Sequence, residues 1–209
     1  MVVVLAVAGV VWAVTSGGGI DGGGGGGASA SPSASPPPAE QLAVGDPYQG
    51  GIVAYILQAG DPGYVAGEEH GLIAAKADQS AGIQWAREKY WDTKVPGATG
   101  LALGDGAANT DAIIAQNGAG GNYAAGLARA YDGGGYSDWY LPSKDELDKL
   151  YLNRDAIGGF DTTSDPWYWS SSQSADSANY AWLQPFADGF QLNGYAKTGT
   201  NRVRAVRAF

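Results

Sequence analysis

The chain of 209 residues has no cysteine. Disulfides, thiolate metal sites and cysteine nucleophiles are therefore excluded, and stability must come from packing alone. Basic residues are also scarce: 12 Lys and Arg stand against 21 Asp and Glu, for a net charge of -9, and none precedes Lys76. A surface of this sign does not attract phosphate backbones, so nucleic acid is not expected as a partner. The same balance argues against sulfated polysaccharides held by simple charge attraction. Histidine occurs once, at His70 beside Glu68 and Glu69. With no identifiable third group, and no Gly-x-Ser-x-Gly, a His-dependent triad is not supported. The glycine clusters lack the Lys-Ser/Thr of a phosphate loop.

What the chain has in quantity is glycine and large rings: 34 Gly, seven Trp and 12 Tyr. Each ring buries a large area, so a few can organise a core between irregular loops. Composition divides the chain in three. Residues 2–14 are an uninterrupted apolar run. The run is shorter than the roughly 20 residues of a membrane span and fits the 7–15 residues or so of a signal-peptide core, although no basic residue precedes it. Three readings stand: an export signal, an N-terminal anchor whose cytoplasmic flank lies upstream, or a buried strand. We assign 1–16 to a signal peptide or membrane anchor. Residues 17–40, first glycine-rich and then rich in Ser, Ala and Pro, cannot offset their ordering entropy and are expected to form a disordered linker. A globular domain follows over 41–209. An apolar start, a spacer and a domain is the layout of a protein held outside the cell, on its surface or secreted.

Within the domain, 51–57 is apolar on both faces and predicts a covered, central strand; 72–75 predicts a second. Asn109 or Thr110 is placed to cap a helix ending at Asn117-Gly118, and Asn122 another carrying Tyr123, Leu127 and Tyr131. Ser143-Lys-Asp-Glu146 reads as a capping box ahead of a stripe of Leu147, Leu150 and Tyr151. Strands are expected over 180–186, over 190–195 and from Arg202 onward. Strands at both ends around central helices make an α+β domain.

Several pieces in one order resemble the DUF1566 family, also called the Lcl C-terminal domain family. They are Gly135-Tyr-Ser-Asp-Trp-Tyr-Leu-Pro-Ser-Lys-Asp-Glu-Leu, Tyr168-Trp-Ser-Ser, Ala181-Trp, Asp188-Gly and Arg202-Val-Arg-Ala-Val-Arg. Upstream, Gly45-Asp-Pro-Tyr-Gln-Gly-Gly-Ile-Val-Ala-Tyr-Ile, Gly71-Leu-Ile-Ala-Ala and Ile83-Gln-Trp look like the start of its longer form. The resemblance covers roughly 43–209. It implies a loop-rich C-type-lectin-like fold whose first and last strands pair, and a surface-binding, adhesin-like role. It also implies that Trp139 and Trp169, inside motif pieces, pack in the core.

The segment 161–180 is the candidate ligand site, with Asp161, Asp165, Trp167, Tyr168, Gln173, Asp176 and Asn179 as contacts. Sugars are held by aromatic faces under their C–H surfaces, with carboxylates, amides and hydroxyls on their OH groups, and this segment supplies all of these. Asp161, Asp165 and Asp176 are also the candidate ligands for a Ca²⁺, which takes six to eight oxygens. Their spacing fits no fixed loop, and no cofactor is assigned. Asp105-Gly-Ala-Ala-Asn-Thr-Asp111 departs from calcium-loop spacing and reads as a helix cap. Arg202, Arg204 and Arg207 are expected to pair with carboxylates, the first two on one strand face and the third on the other.

Three functions follow. The leading one is a non-catalytic module that binds an extracellular glycan or protein. A polysaccharide hydrolase is conceivable, whereas the oxidases that share the lectin-like fold need cysteines absent here. The third is a structural envelope protein, or a scaffold of the kind diversified by retroelements.

Overall fold

The computed structural model describes residues 41–163 and 166–209. The signal, anchor and linker segments expected over 1–40 lie outside these residues, as does Asp165. Among the described residues no helix is long and apolar enough to cross a membrane.

Among the described residues the architecture is α+β, with two sheets and four α-helices. Strands β1 (Pro47–Tyr48) and β2 (Gly51–Ile56) form a hairpin, and β3 (Gly71–Ala74) pairs antiparallel with β2. β4 (Ser80–Gln84) leaves for the second sheet. Then come α1 (Gly106–Asn117), α2 (Ala124–Arg129), α3 (Lys144–Leu152) and α4 (Arg154–Ile157). The chain closes with β5 (Trp167–Gln173), β6 (Tyr180–Pro185), β7 (Leu192–Ala196), β8 (Thr200–Val203) and β9 (Val206–Ala208). The sheet orders are β1-β2-β3-β9 and β4-β8-β5-β6-β7. The two ends of the domain do meet in one sheet, but β9 pairs with β3 rather than with the first strands, through Leu72↔Ala208 and Ala74↔Val206.

The strand expected over 51–57 is covered at its centre, where Val53 and Ala54 are both fully buried, and the strand beside it is shared by two cores. On β3, Leu72 and Ala74 enter one apolar cluster while Ile73 and Ala75 enter the other. The larger cluster gathers Trp85, Trp139 and Trp169, all fully buried; the smaller gathers Tyr168, Phe186 and Leu150. Gly51 lies under Trp139, where a Cβ would come within 3.0 Å of the indole and 2.3 Å of the Ala74 carbonyl. The indole N–H of Trp139 donates to the Gly133 carbonyl at 3.2 Å.

The capping box forms as read: Glu146 N–H donates to Ser143 Oγ at 3.2 Å, and Ser143 N–H to Glu146 Oε2 at 2.7 Å. Elsewhere helix starts shift. α1 begins at Gly106, so Asn109 and Thr110 are buried within it. Thr110 Oγ1 accepts the Leu141 N–H, and Asn109 brackets Gly100 by its amide. Asp105 occupies the N-cap position without a side-chain cap, its carboxylate accepting the Ala102 N–H instead. α2 likewise starts after Tyr123, not on an Asn122 cap.

The C-terminal run is not one strand. It breaks at Arg204-Ala205 and passes from one sheet to the other. Arg207 donates from Nε and Nη2 to the two Asp138 oxygens at 2.7 and 2.8 Å, and lies 4.0 Å over the Tyr136 ring. It also donates to Gln49 Oε1, at the turn where Gln49 takes φ 41°. These bonds hold the Asp138 carboxyl below its ordinary value of 3.8.

Replacing Trp139 by Ala is expected to cost roughly 3–5 kcal/mol, the range for a large ring removed from a close-packed core. A denaturation midpoint equal to that of the parent would show that the ring is not core. Because Asp138 titrates lower in the folded state, its contribution is present above the ordinary carboxylate range and is lost as pH falls through the folded value. Asp138→Asn should therefore flatten the acid limb of a melting-temperature profile recorded from about pH 6 to about pH 2. An unchanged slope would place the acid sensitivity elsewhere.

Candidate functional site

The segment 161–180 is not a loop. Its middle is β5, with Asp161 before the strand and Asp176 and Asn179 beyond it. Seven extended residues span about 20 Å, so the carboxylates of Asp161 and Asp176 stand at opposite ends and do not converge on one ion. Among the described residues no three His, Asp or Glu side chains gather as a metal site.

Tyr168 and Gln173 leave the candidate surface, because both are fully buried. Gln173 Oε1 accepts the Val95 N–H at 2.7 Å, and Nε2 donates to the Ser177 carbonyl at 3.3 Å. The serines between them are consumed in the same way. β5 and β6 lose register between Trp169 and Gln173, where four steps of β5 face two of β6. In this bulge Ser172 Oγ donates to the Gly100 carbonyl at 2.6 Å and accepts the Lys144 N–H at 3.0 Å, while Ser171 N–H donates to the Pro142 carbonyl. Thus the hydroxyls that suggested sugar contacts instead join β5 to the 98–102 loop and to the start of α3.

Tyr168 belongs to an ionic knot that sequence reading did not assemble. Its hydroxyl donates to Asp78 Oδ2 at 2.9 Å and accepts the Asp161 N–H at 3.0 Å. Asp78 also takes Arg204 Nε at 2.7 Å and Arg202 Nη1 at 3.2 Å, and Arg202 reaches on to Asp161. Burial, with Asp78 beside it, pushes the Tyr168 phenol up. The Thr163 hydroxyl and N–H, helped by Arg202, hold the Asp161 carboxyl down. Asp161 is therefore a partner of the fold. The expected pairing of the C-terminal arginines is what forms this knot, and Asp78 was its missing member. No motif marks Asp78; the only signal was that buried arginines require a carboxylate.

Trp167 remains partly exposed. Alternation along β5 puts it on the opposite face from Tyr168, so the two rings cannot serve one ligand. Its neighbour is Tyr195 of β7, with ring centroids 5.8 Å apart and planes within 22°. Tyr195 is 38 % exposed, rests edge-on against the buried Trp169, and has its ring over Gly199, where a Cβ would come within 2.3 Å of it. Glycine there leaves room for the ring. Next to this ledge, Tyr180 opposes Ala196 in the ladder and the Asn179 carbonyl accepts the Lys197 N–H at 2.9 Å. Asn179, Tyr180 and Asp176 are exposed. The structure thus keeps Trp167 beside a ring that sequence reading missed, although Tyr195 lay on a predicted strand. It places Asn179 next to the Tyr195 end, and Asp176 three residues earlier on the same connection.

His70 is tethered as well as part-exposed. One ring nitrogen bonds Glu68 Oε2 at 2.9 Å and the other the Phe209 carbonyl at 3.2 Å, and the Glu68 bond raises its pKa. A test separates knot from ledge. Tyr168→Phe deletes the hydroxyl that two partners share and should lower unfolding stability by about 1–3 kcal/mol. A urea midpoint unchanged from the parent would remove Tyr168 from the knot.

A comparison with curated proteins finds no match. Residues 75–207 match the family model described as Lcl C-terminal domain. The matched stretch runs from the end of β3 to β9 and takes in the capping box, the serine bulge and the arginine run. On that match, which covers well over half of its length, the chain belongs to the Lcl C-terminal domain family.

Proposed function

We propose that this domain is a non-catalytic ligand-binding module, adhesin-like and displayed outside the cell, with a glycan as its ligand. Residues 1–16 would serve export or anchoring and 17–40 would form the spacer. The observation that carries the reading is the Trp167–Tyr195 ledge, two nearly parallel rings left partly accessible on one face of the second sheet. An accessible aromatic face can lie under a pyranose C–H surface, and Asn179 on the adjoining connection, with Asp176 three residues before it, offers an amide and a carboxylate for hydroxyls. Family membership supports the same reading.

In this reading no metal takes part. Asp161 is held by Arg202, so it is not free to share a cation with Asp176. On a printed array of bacterial and host glycans, the full chain should retain a defined subset without cleaving it. EDTA should leave retention unchanged. Trp167→Ala should weaken it by about tenfold or more at an unchanged melting temperature, the effect expected of an aromatic anchor contributing ~1.4 kcal/mol. Normal retention by Trp167→Ala would move the site off the ledge, and release of shorter products would replace binding with hydrolysis.

A further inference from the structure

A concave site lies away from the ledge, between residues 76–79 and the C-terminal end of α2, as an open cleft of about 370 Å³. We propose that this cleft binds a free α-amino acid with an apolar side chain.

Part of the lining is already used by the fold. Asp78 spends its carboxylate on Arg202, Arg204 and Tyr168. Gln79 spends its amide on the Ala205 N–H and the Ala77 carbonyl. Among the described residues, two charged side chains of the lining have no ion pair: Lys76, on the 76–79 segment, and Asp132, just past α2. Both are exposed, and they do not bridge to each other across the cleft. Leu127, Ala130 and Tyr131 line the wall beside Asp132. Tyr131 is set by an edge contact with Trp139 at 4.9 Å, and the Asp132 carbonyl is fixed by the Gly135 N–H at 3.0 Å.

A cation and an anion contributed to one cleft by its two segments, with apolar surface beside them, select the ligand class. A phosphate or dicarboxylate would satisfy Lys76 and be repelled by Asp132. A simple amine would leave Lys76 uncompensated. A zwitterion answers both charges, its carboxylate to Lys76 and its ammonium to Asp132, with the side chain against Leu127 and Ala130. The volume is at the small end of ligand pockets, in keeping with one amino acid rather than a long peptide. Both charges are solvated, so binding is expected in the millimolar range.

The probe is L-leucine, titrated into the full chain by calorimetry. Leucinamide lacks the carboxylate, N-acetyl-L-leucine lacks the ammonium and glycine lacks the side chain. Leucine should bind saturably, and each analogue should bind about fivefold more weakly or worse. Lys76→Glu and Asp132→Lys should each weaken leucine by a similar factor. The double variant, which reverses the polarity of the cleft, should recover it. Absence of saturable leucine binding, binding of any of the three analogues as tight as that of leucine, or no recovery in a folded double variant would overturn the proposal. The analogue series on the unaltered chain decides the matter even if a variant fails to fold. Trp167→Ala should leave leucine binding unchanged, which separates this cleft from the ledge.

Discussion

The guanidinium of Arg204 is the point on which the rest of the domain hangs. It is buried, and it donates to Asp78, to the Ala75 carbonyl at 2.9 Å and to the carbonyls of Gly158 and Gly159, with Phe160 at 4.0 Å beneath it. An arginine taken out of water with any of its donors unmet would cost several kcal/mol, so these segments must arrive together. They come from the end of β3, the exit of α4 and the junction of β8 and β9. Asp78 is satisfied in turn by Arg202 and Tyr168, which extends the requirement to β5. The break between β8 and β9 follows from this, because the residue that leaves the ladder is the one that enters the knot. Arg207 repeats the device one sheet away, with Asp138, Gln49 and the Tyr136 ring.

Around these polar anchors the tryptophans do what disulfides do in other loop-rich folds. Trp85, Trp91, Trp139 and Trp169 each send the indole N–H to a backbone carbonyl, of Ser170, Ala86, Gly133 and Ile83 respectively. Each ring therefore fills the core and also fixes a strand or loop that has few ladder bonds of its own. Glycines complete the arrangement where a ring needs to lie flat on backbone, as Trp139 does over Gly51.

Most polar groups of the 161–180 segment are claimed by this scheme. The serines of β5, Gln173, Tyr168 and Asp161 are internal partners. Among the described residues, the Trp167–Tyr195 pair and the charges of Lys76 and Asp132 beside α2 stand outside that scheme.

The sequence alone determined what local chemistry controls. The capping box at Ser143 and Glu146 is legible because its partners are three residues apart. The doubly covered strand near 51–57 is legible because its apolar residues fall on both faces, and the pairing of the C-terminal arginines follows from acidic excess and burial. Only tertiary structure decided which carboxylate met which arginine, because Asp78 and Arg204 are 126 residues apart and no spacing rule connects them. It also decided that the polar stretch around Ser170, Ser171 and Ser172 is a buried bulge rather than a binding loop. Hydroxyls read the same in sequence whether they face water or the backbone of another segment, and what separates the two cases is which carbonyls and N–H groups the folded chain brings within about 3 Å.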